Sequence, residues 1–307
     1  TNKNDLFANI AKIKPNEILL SHSLDENDFL DSVKSNFDCT VTPTLANKLD
    51  SKKAEKLICM HYGVKSINSF GKFNGDEILA CWILLDYVSI TQKGKLPSIS
   101  FPRSIKSQSS MMIDASTRKS LEINQNMSGG LKGSLIDSIN NTLTAVGARR
   151  LDKDLRSPLT NINKINARLD MVEYFLEDET ARKEIREILK SSADIDRAKA
   201  RISLSRGGPR DLKSIYYGIN SAQRLADSFK ANSKKKKLPK NIKELILLLN
   251  KCDSLCGVLK KALSDNMPIL IRDGGFIKIG YSEKLDSIRP YRDKSREHIL
   301  KLEASER

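Results

Sequence analysis

The segment from Gly129 to Ser134 is the nearest approach in this chain to a phosphate-binding loop. A P-loop places lysine directly before Ser or Thr at the start of a helix, so that the amine and the hydroxyl reach phosphate and magnesium together. Here Gly133 separates Lys132 from Ser134. The segment is therefore predicted to be a flexible joint between two helices, and nucleotide binding remains the alternative.

Acidic residues occur in pairs that acid–base catalysis could use, such as Asp152 with Asp154 and Asp194 with Asp196. Their segments have helical patterns, in which carboxylates commonly cap helix ends or face solvent. The three histidines are His22, His61 and His298. With three isolated histidines, no Ser-His-Asp or Cys-His nucleophile can be argued from the sequence. We therefore predict no catalytic residue and no bound cofactor, and keep an enzyme with a composite site as an alternative.

The cysteine pattern indicates reduced thiols, because the cysteines are odd in number and widely scattered. They are Cys39, Cys59, Cys81, Cys252 and Cys256. The last two are four residues apart inside the apolar run 242–263, which predicts that both lie on one buried face of a helix. A zinc site would need two more ligands nearby, so no metal is predicted.

Positive charge is concentrated in the second part of the chain. The net charge is +15; residues 1–113 carry 14 basic and 12 acidic residues, whereas residues 114–307 carry 39 and 26. This asymmetry suggests a polyanion as the partner of the second part. The alternative is that solvated helix faces are simply rich in lysine. The run Lys234–Lys237 leaves the same two possibilities open, a solvated loop or an electrostatic contact with DNA.

The chain contains no run of about 18 apolar residues, so no membrane span is expected. It starts at Thr1 without an initiating methionine and without a charged-then-apolar signal segment. We therefore expect an internal segment of a longer, cytoplasmic protein.

The first 112 residues mix helical and strand patterns. Helices are predicted over 6–13, over 51–62 with a C-cap at Gly63, and over 76–91 as a buried helix. Strands are predicted near 17–20, 99–101 and 110–113. This is an α/β pattern with few strands, so either further strands lie upstream of Thr1 or some strands in the chain escape detection.

From Asp114 onward, the sequence predicts a series of helices. Thr144 and Asp194 are predicted N-caps, and Pro209 suits the first turn of a long helix to about Ala231. Near the end, Asp-Gly-Gly at 273–275 separates two short apolar runs and predicts a tight turn. A charged helix is then predicted from Ser282 to Arg307. The predicted fold class is mixed, with a partial α/β domain followed by an all-α domain of long helices.

Ordered short motifs resemble those of bacterial MutS-type DNA mismatch repair proteins. In the first part these are Leu85-x-Tyr87-Val88, Thr91-Gln92-Lys93 and Leu96-Pro97-x-Ile99. In the second part they are Asp114-Ala115-x-Thr117-Arg118, Leu121-Glu122, Gly147-x-Arg149, Leu155-x-x-Pro158-Leu159, Arg168-x-Asp170, Asp196-Arg197, Ala200-Arg201, Pro209-Arg210-Asp211-Leu212, Arg272-Asp273-Gly274-Gly275-x-Ile277, Gly280-Tyr281 and Leu285-Asp286. Each motif alone is weak evidence for this resemblance, but the order and spacing of the motifs together are specific to the family.

The resemblance implies a domain organisation: a truncated connector domain over 1–112, a helical lever domain over 113–285, and over 286–307 the first helix leading into a clamp domain. The family's mismatch-reading domain would lie before Thr1 and its ATPase domain after Arg307. By resemblance the parent protein is a DNA-dependent ATPase that uses ATP and magnesium, recognises mismatches in duplex DNA, self-associates, and binds MutL through the connector. This chain would transmit conformational change between the DNA end and the ATPase end. A stand-alone basic helical scaffold that binds nucleic acid is the alternative.

The resemblance also suggests roles for particular residues. Structural bracing is expected of Arg118, Arg149, Arg168, Asp273, Gly274 and Gly275. Contacts with the DNA backbone are expected of Arg292, Lys294, Arg296 and Lys301. Contacts with MutL are expected of Lys56, Leu57 and His61, although these depart from the glutamine-rich segment of the family. For the three bracing arginines, simple surface charge is the alternative.

Overall fold

The computed structural model describes residues 3–21, 27–37, 39–44, 50–94, 97, 99–104, 110–233, 237–249 and 252–306. The chain divides into two compact units, one made of residues 1–182 and 239–241, the other of residues 183–238 and 242–307. Compact units are not family domains, so the boundaries expected at residues 112 and 285 stay predictions. None of the described helices is long and apolar enough to cross a membrane.

The chain begins with a small α/β arrangement. Its elements are α1 (Lys3–Ile13), β1 (Glu17–Ser21), α2 (Asn27–Asn36) and β2 (Thr40–Thr44). The two strands pair in parallel, with Glu17 opposite Thr40 and Leu20 opposite Pro43. The sequence missed β2, because Pro43 cannot donate to a ladder and argues against a strand. The strands predicted near 99–101 and 110–113 are wrong: residues 99–101 lie in no strand, and Ser110 forms only an isolated bridge with Leu159.

Two helices and the segment between them form an apolar core. They are α3 (Ser51–Tyr62) and α4 (Gly75–Thr91), with the 3-10 helix Ile67–Phe70 between them. As predicted, α3 ends at Gly63 with a positive φ of 65°. The core residues are Ala54, Ile58, Cys59, Ile67, Ile78 and Leu85. The prediction that α4 is buried is right for one face only, because Leu84 and Ile90 remain 50% and 69% exposed.

The rest of the described chain is helical and confirms the predicted fold class. The helices are α5 (Ala115–Ser120), α6 (Leu135–Ile139), α7 (Ala145–Arg156), α8 (Ile162–Glu177), α9 (Glu179–Lys190), α10 (Ile195–Ser203), α11 (Pro209–Ser233), α12 (Lys240–Leu249), α13 (Asp253–Ala262) and α14 (Glu283–Ser305). The predicted caps are present: Thr144 Oγ1 accepts from Gly147 N at 3.0 Å, and Asp194 Oδ1 accepts from Arg197 N at 3.2 Å.

Within the second unit, α11 packs against α10 and α13. Gly218 permits the close approach of α10, because a Cβ at this position would overlap the Ile195 side chain. The apolar run 242–263 forms two helices instead of one, and residues 250–251 between them lie outside the described residues. Placing both cysteines on one buried face is therefore wrong: Cys256 is buried, whereas Cys252 stands exposed before the first turn of α13.

Candidate functional site

The first unit contains a junction where the α/β part meets the helices that follow it. Helix α1 packs against α5 and α7. The Lys12 ammonium donates to Ser110 Oγ at 2.6 Å, and Met111 N donates to the carbonyl of Pro158 at 2.8 Å. Ser110 also forms a bridge with Leu159. Residues on both sides of the predicted boundary at 112 are thus joined by direct hydrogen bonds.

Arg118 lies in α5, a short helix that Asp114 caps by accepting from Thr117 N at 2.7 Å. Arg118 Nη2 donates to the carbonyl of Arg156, the last residue of α7, at 3.0 Å. Such a contact satisfies a carbonyl that a helix end leaves without a partner. The Nε and Nη1 atoms of Arg118 are buried and have no acceptor among the described residues. Burial, followed by the charge of Arg156, lowers the pKa of the Arg118 guanidinium.

Asp152 is the centre of a second set of contacts at the end of α7. It accepts from Arg156 Nε at 2.7 Å and Nη2 at 2.9 Å, and from Asn124 Nδ2 at 2.7 Å. Burial raises the pKa of the Asp152 carboxyl, but the hydrogen bonds and charge of Arg156, with Asn124, hold that pKa below its ordinary value. The carboxylate therefore stays charged and fixes both of its partners.

A third set of contacts joins α7 to α8. Arg168 Nη2 on α8 lies 3.1 Å from Asp154 Oδ1 on α7. The same carboxylate accepts from Arg150 Nε, one turn earlier on α7, at 3.0 Å. Arg149 is exposed on α7. Asp154 thus connects one arginine on its own helix with one on the next helix.

The segment that resembles a phosphate loop has a structural task. The Ser134 side chain is fully buried and caps α6 by accepting from Asp137 N, while its hydroxyl donates to the carbonyl of Leu131 at 2.6 Å. Gly133 N donates to Asp137 Oδ2 at 3.0 Å. The Ser134 hydroxyl and the Gly133 amide are therefore occupied by contacts within this segment and α6.

The Asp-Gly-Gly segment lies in the second unit and follows the 3-10 helix Ile271–Asp273. Gly274 and Gly275 both adopt positive φ, 66° and 74°. Asp273 Oδ2 accepts from Leu270 N at 3.3 Å. Past the turn, Ile277 bridges Leu263, so this segment returns to the end of α13.

A pairing that the sequence did not reveal lies at the start of α11. Asp211 accepts from the guanidinium of Arg201 on α10 and from Gly208 N at 3.0 Å. Arg201 is the largest cause of the lowered pKa of the Asp211 carboxyl. The sequence analysis did not predict this pair; opposite charges on either side of the turn 204–208 were the available signal.

The remaining predicted residues lie on α3 and α14. On α3, Lys56 and His61 are exposed and Leu57 is half-buried. On α14, Lys294 and Lys301 are exposed, and the side chains of Arg292 and Arg296 lie outside the described ones. The segment 283–305 carries six basic and five acidic residues, so its net charge is small. Among the described residues, no group of three or more His, Cys, Asp or Glu side chains could hold a metal ion.

Two family models match this chain: MutS domain II over residues 1–100 and MutS domain III over residues 116–306. Curated relatives named DNA mismatch repair protein MutS include those of Cereibacter sphaeroides (36% identical over 97% of the chain), Ruegeria pomeroyi (39% over 95%) and Rickettsia typhi (34% over 97%). In each case the match covers 33% of the relative, so the chain spans about a third of the length of these proteins. A stand-alone scaffold is not favoured by these matches. The chain belongs to the MutS family of DNA mismatch repair proteins, of which it carries domains II and III.

Proposed function

We propose that this chain is the mechanical joint of a MutS-type protein and transmits movement between a DNA-binding end and an ATPase end. The parent protein would be a DNA-dependent ATPase that binds mismatched duplex DNA, self-associates, and recruits MutL through domain II. ATP and magnesium would bind outside this chain.

The junction in the first unit is the observation that carries this proposal. Helix α1 belongs to the part that matches domain II, whereas α5 and α7 belong to the part that matches domain III. Lys12 bonds to Ser110, and residues 110–111 pair with 158–159, so hydrogen bonds link the two parts through residues that lie between the two matches. A packed helix moves as a rigid body, so contacts of this kind can pass a displacement from one element to the next.

The test uses the parent protein with the Asp154 contacts altered one at a time. Arg168→Gln removes the pair between α7 and α8, and Arg150→Gln removes the pair within α7. Exposed ion pairs contribute about 1 kcal/mol or less, so both variants should fold and bind a mismatched duplex. In Arg168→Gln we expect ATP to accelerate release of that duplex less than in the wild type. In Arg150→Gln we expect the same acceleration as in the wild type. ATP-driven release at the wild-type rate in both variants would refute the proposal.

Within the same function, α14 would contact DNA phosphates through Arg292, Lys294, Arg296 and Lys301. Lys294 and Lys301 are exposed and seven residues apart, which places them on one helix face. The near-neutral charge of α14 supports only weak attraction. We therefore expect the chain to bind homoduplex and G·T heteroduplex equally, with an affinity that falls steeply as salt rises and drops further when the four residues become Gln. A heteroduplex preference above about tenfold, roughly 1.4 kcal/mol, would contradict this assignment.

MutL would dock on the surface of α3 that includes Lys56, Leu57 and His61. Lys56 and His61 are exposed there, and Leu57 lies one helical turn before His61. We expect Lys56→Glu in the parent protein to weaken MutL binding in a co-sedimentation assay. The control is Lys72→Glu, an exposed lysine in the turn before α4. Equal MutL binding by both variants would remove α3 from the docking surface.

A further inference from the structure

A pocket of about 430 Å³ lies inside the first unit, among α1, α5, the turn segment 124–129 and the end of α7. Its lining includes the apolar residues Ile10 and Phe37 and the polar residues Lys14, Arg118 and Asn124. This volume falls in the range of about 300 to 1,000 Å³ that is usual for small-molecule sites. Apolar walls with a few convergent polar groups are the usual composition of such a site.

Arg118 brings a charge to this pocket that the protein satisfies only in part. One nitrogen donates to the Arg156 carbonyl, and the other two are buried with no acceptor among the described residues. Burying a charged group without partners costs several kcal/mol in general, unless a counter-charge offsets the lost hydration. The nearby charge of Asp152 supplies part of that counter-charge, but burial still lowers the pKa of Arg118, and an anion in the pocket would supply the rest.

Asn124 brings a second unsatisfied group. The residue is 8% exposed, and its Nδ2 donates to Asp152, which fixes the orientation of the amide because an ionised carboxylate can only accept. Its Oδ1 is buried and has no donor among the described residues. The pocket therefore offers an acceptor as well as cationic donors, and its ligand should carry a hydrogen-bond donor of its own.

The charges around the pocket favour an anion further. Lys14 and Lys119 line it and are exposed, whereas the charge of Arg156 is matched by Asp152. None of the described lining residues is an aspartate or a glutamate. Three cations, those of Lys14, Arg118 and Lys119, thus surround this space without a carboxylate in its wall.

We propose that this pocket binds a small phosphate-bearing anion. Hydrogen phosphate and phosphate esters with a free hydroxyl accept from guanidinium and ammonium groups and can also donate to Asn124 Oδ1. Sulfate has the same size and shape but carries no proton near neutral pH, so it satisfies the cations and leaves Asn124 Oδ1 without a donor. The site needs no nucleotide loop and is independent of the transmission role proposed above.

The test is calorimetry on the whole chain, with inorganic phosphate and sulfate titrated separately at matched ionic strength. We expect saturable phosphate binding with a dissociation constant of roughly 1 mM. Sulfate should bind at least about threefold more weakly, because a site built to pair a hydroxyl rejects an analogue that lacks it. The double variant Lys14→Gln/Lys119→Gln alters two exposed side chains and should weaken phosphate binding about tenfold.

Lys153→Gln serves as the matched control, since Lys153 is an exposed lysine of α7 that does not line the pocket. Phosphate binding by this variant should equal that of the wild type. The proposal is overturned if no saturable phosphate binding occurs up to about 20 mM. It is also overturned if sulfate binds as tightly as phosphate, or if the double variant binds phosphate as well as the control does.

Discussion

Within the first unit, the α3–α4 region is held together by apolar packing, whereas α7 is held in place by polar contacts. Around α3 and α4, side chains such as Ile58 and Ile67 are 0% and 2% exposed and pack against one another. No residue of α7 is buried, and that helix is fixed by the hydrogen bonds and ion pairs of Arg118, Asp152 and Asp154. Apolar packing tolerates little displacement without loss of contact, whereas polar pairs can exchange partners. The difference suggests a stable body beside a joint that can be rearranged.

The apolar region should show the largest response to a single substitution. Ile58→Ala removes buried methyl groups and leaves a cavity in the α3–α4 core, so we expect a loss of about 2–5 kcal/mol in the free energy of unfolding, measured with urea. Met60→Ala, on the same helix at a position 81% exposed, should change it by less than about 0.5 kcal/mol. Similar losses of unfolding free energy in both variants would mean that apolar packing does not hold the α3–α4 region together.

The turn at Gly274 depends on a third kind of constraint, the backbone conformation itself. Gly274 has φ 66° and ψ −165°, a conformation that side chains with a Cβ rarely adopt. We expect Gly274→Val to cost about 1–3 kcal/mol in thermal unfolding. Gly257→Ala is the control, since Gly257 lies inside α13 with open space around it, and it should be neutral or stabilising by roughly 0.5–1 kcal/mol. An unchanged melting temperature for Gly274→Val would refute the turn assignment.

The polar region should respond to pH. The pKa of Asp152 lies below its ordinary value in the folded chain, so its stabilising contribution is complete above the ordinary carboxyl pKa and is lost as pH falls through the folded pKa. We expect Asp152→Asn to lose about 1 kcal/mol near neutral pH and to show a shallower fall in stability below about pH 4. Asp170→Asn, at an exposed position on α8, should keep the wild-type slope. Identical acid profiles for the wild type and Asp152→Asn would exclude this role.

The smallest effect is expected for the ion pairs of Asp154. Arg168→Gln and Arg150→Gln should each lower the free energy of unfolding by no more than about 1 kcal/mol, because both pairs are partly exposed. Denaturation in added salt should reduce even that difference. A loss above about 2 kcal/mol for Arg168→Gln would show that the joint is as firmly held as the apolar core.

The comparison also explains what the sequence could predict. Helical spacing, the caps at Thr144 and Asp194 and the glycine at 63 are local signals, and the structure confirms them. Strand β2 was not predicted because Pro43 argues against a strand. Helix α4 was predicted to be buried because its sequence does not show that one of its faces is exposed. The carbonyl that Arg118 contacts and the Asn124 amide that Asp152 contacts lie 38 and 28 residues away along the chain, so only the folded structure could identify these contacts.

In our proposal, α1 couples the domain II part of the first unit to the domain III part, so that a local change in one part reaches the other. Ile10 on α1 is 8% exposed, so Ile10→Ala should lower the local stability of α1. Hydrogen exchange of the whole chain measures whether the loss reaches α7, with Leu6→Ala, at a position 37% exposed on the same helix, as the control. We predict that Ile10→Ala lowers amide protection over Ala145–Arg156 as well as in α1, and that Leu6→Ala leaves α7 unchanged. Full protection of α7 in Ile10→Ala would contradict the claim.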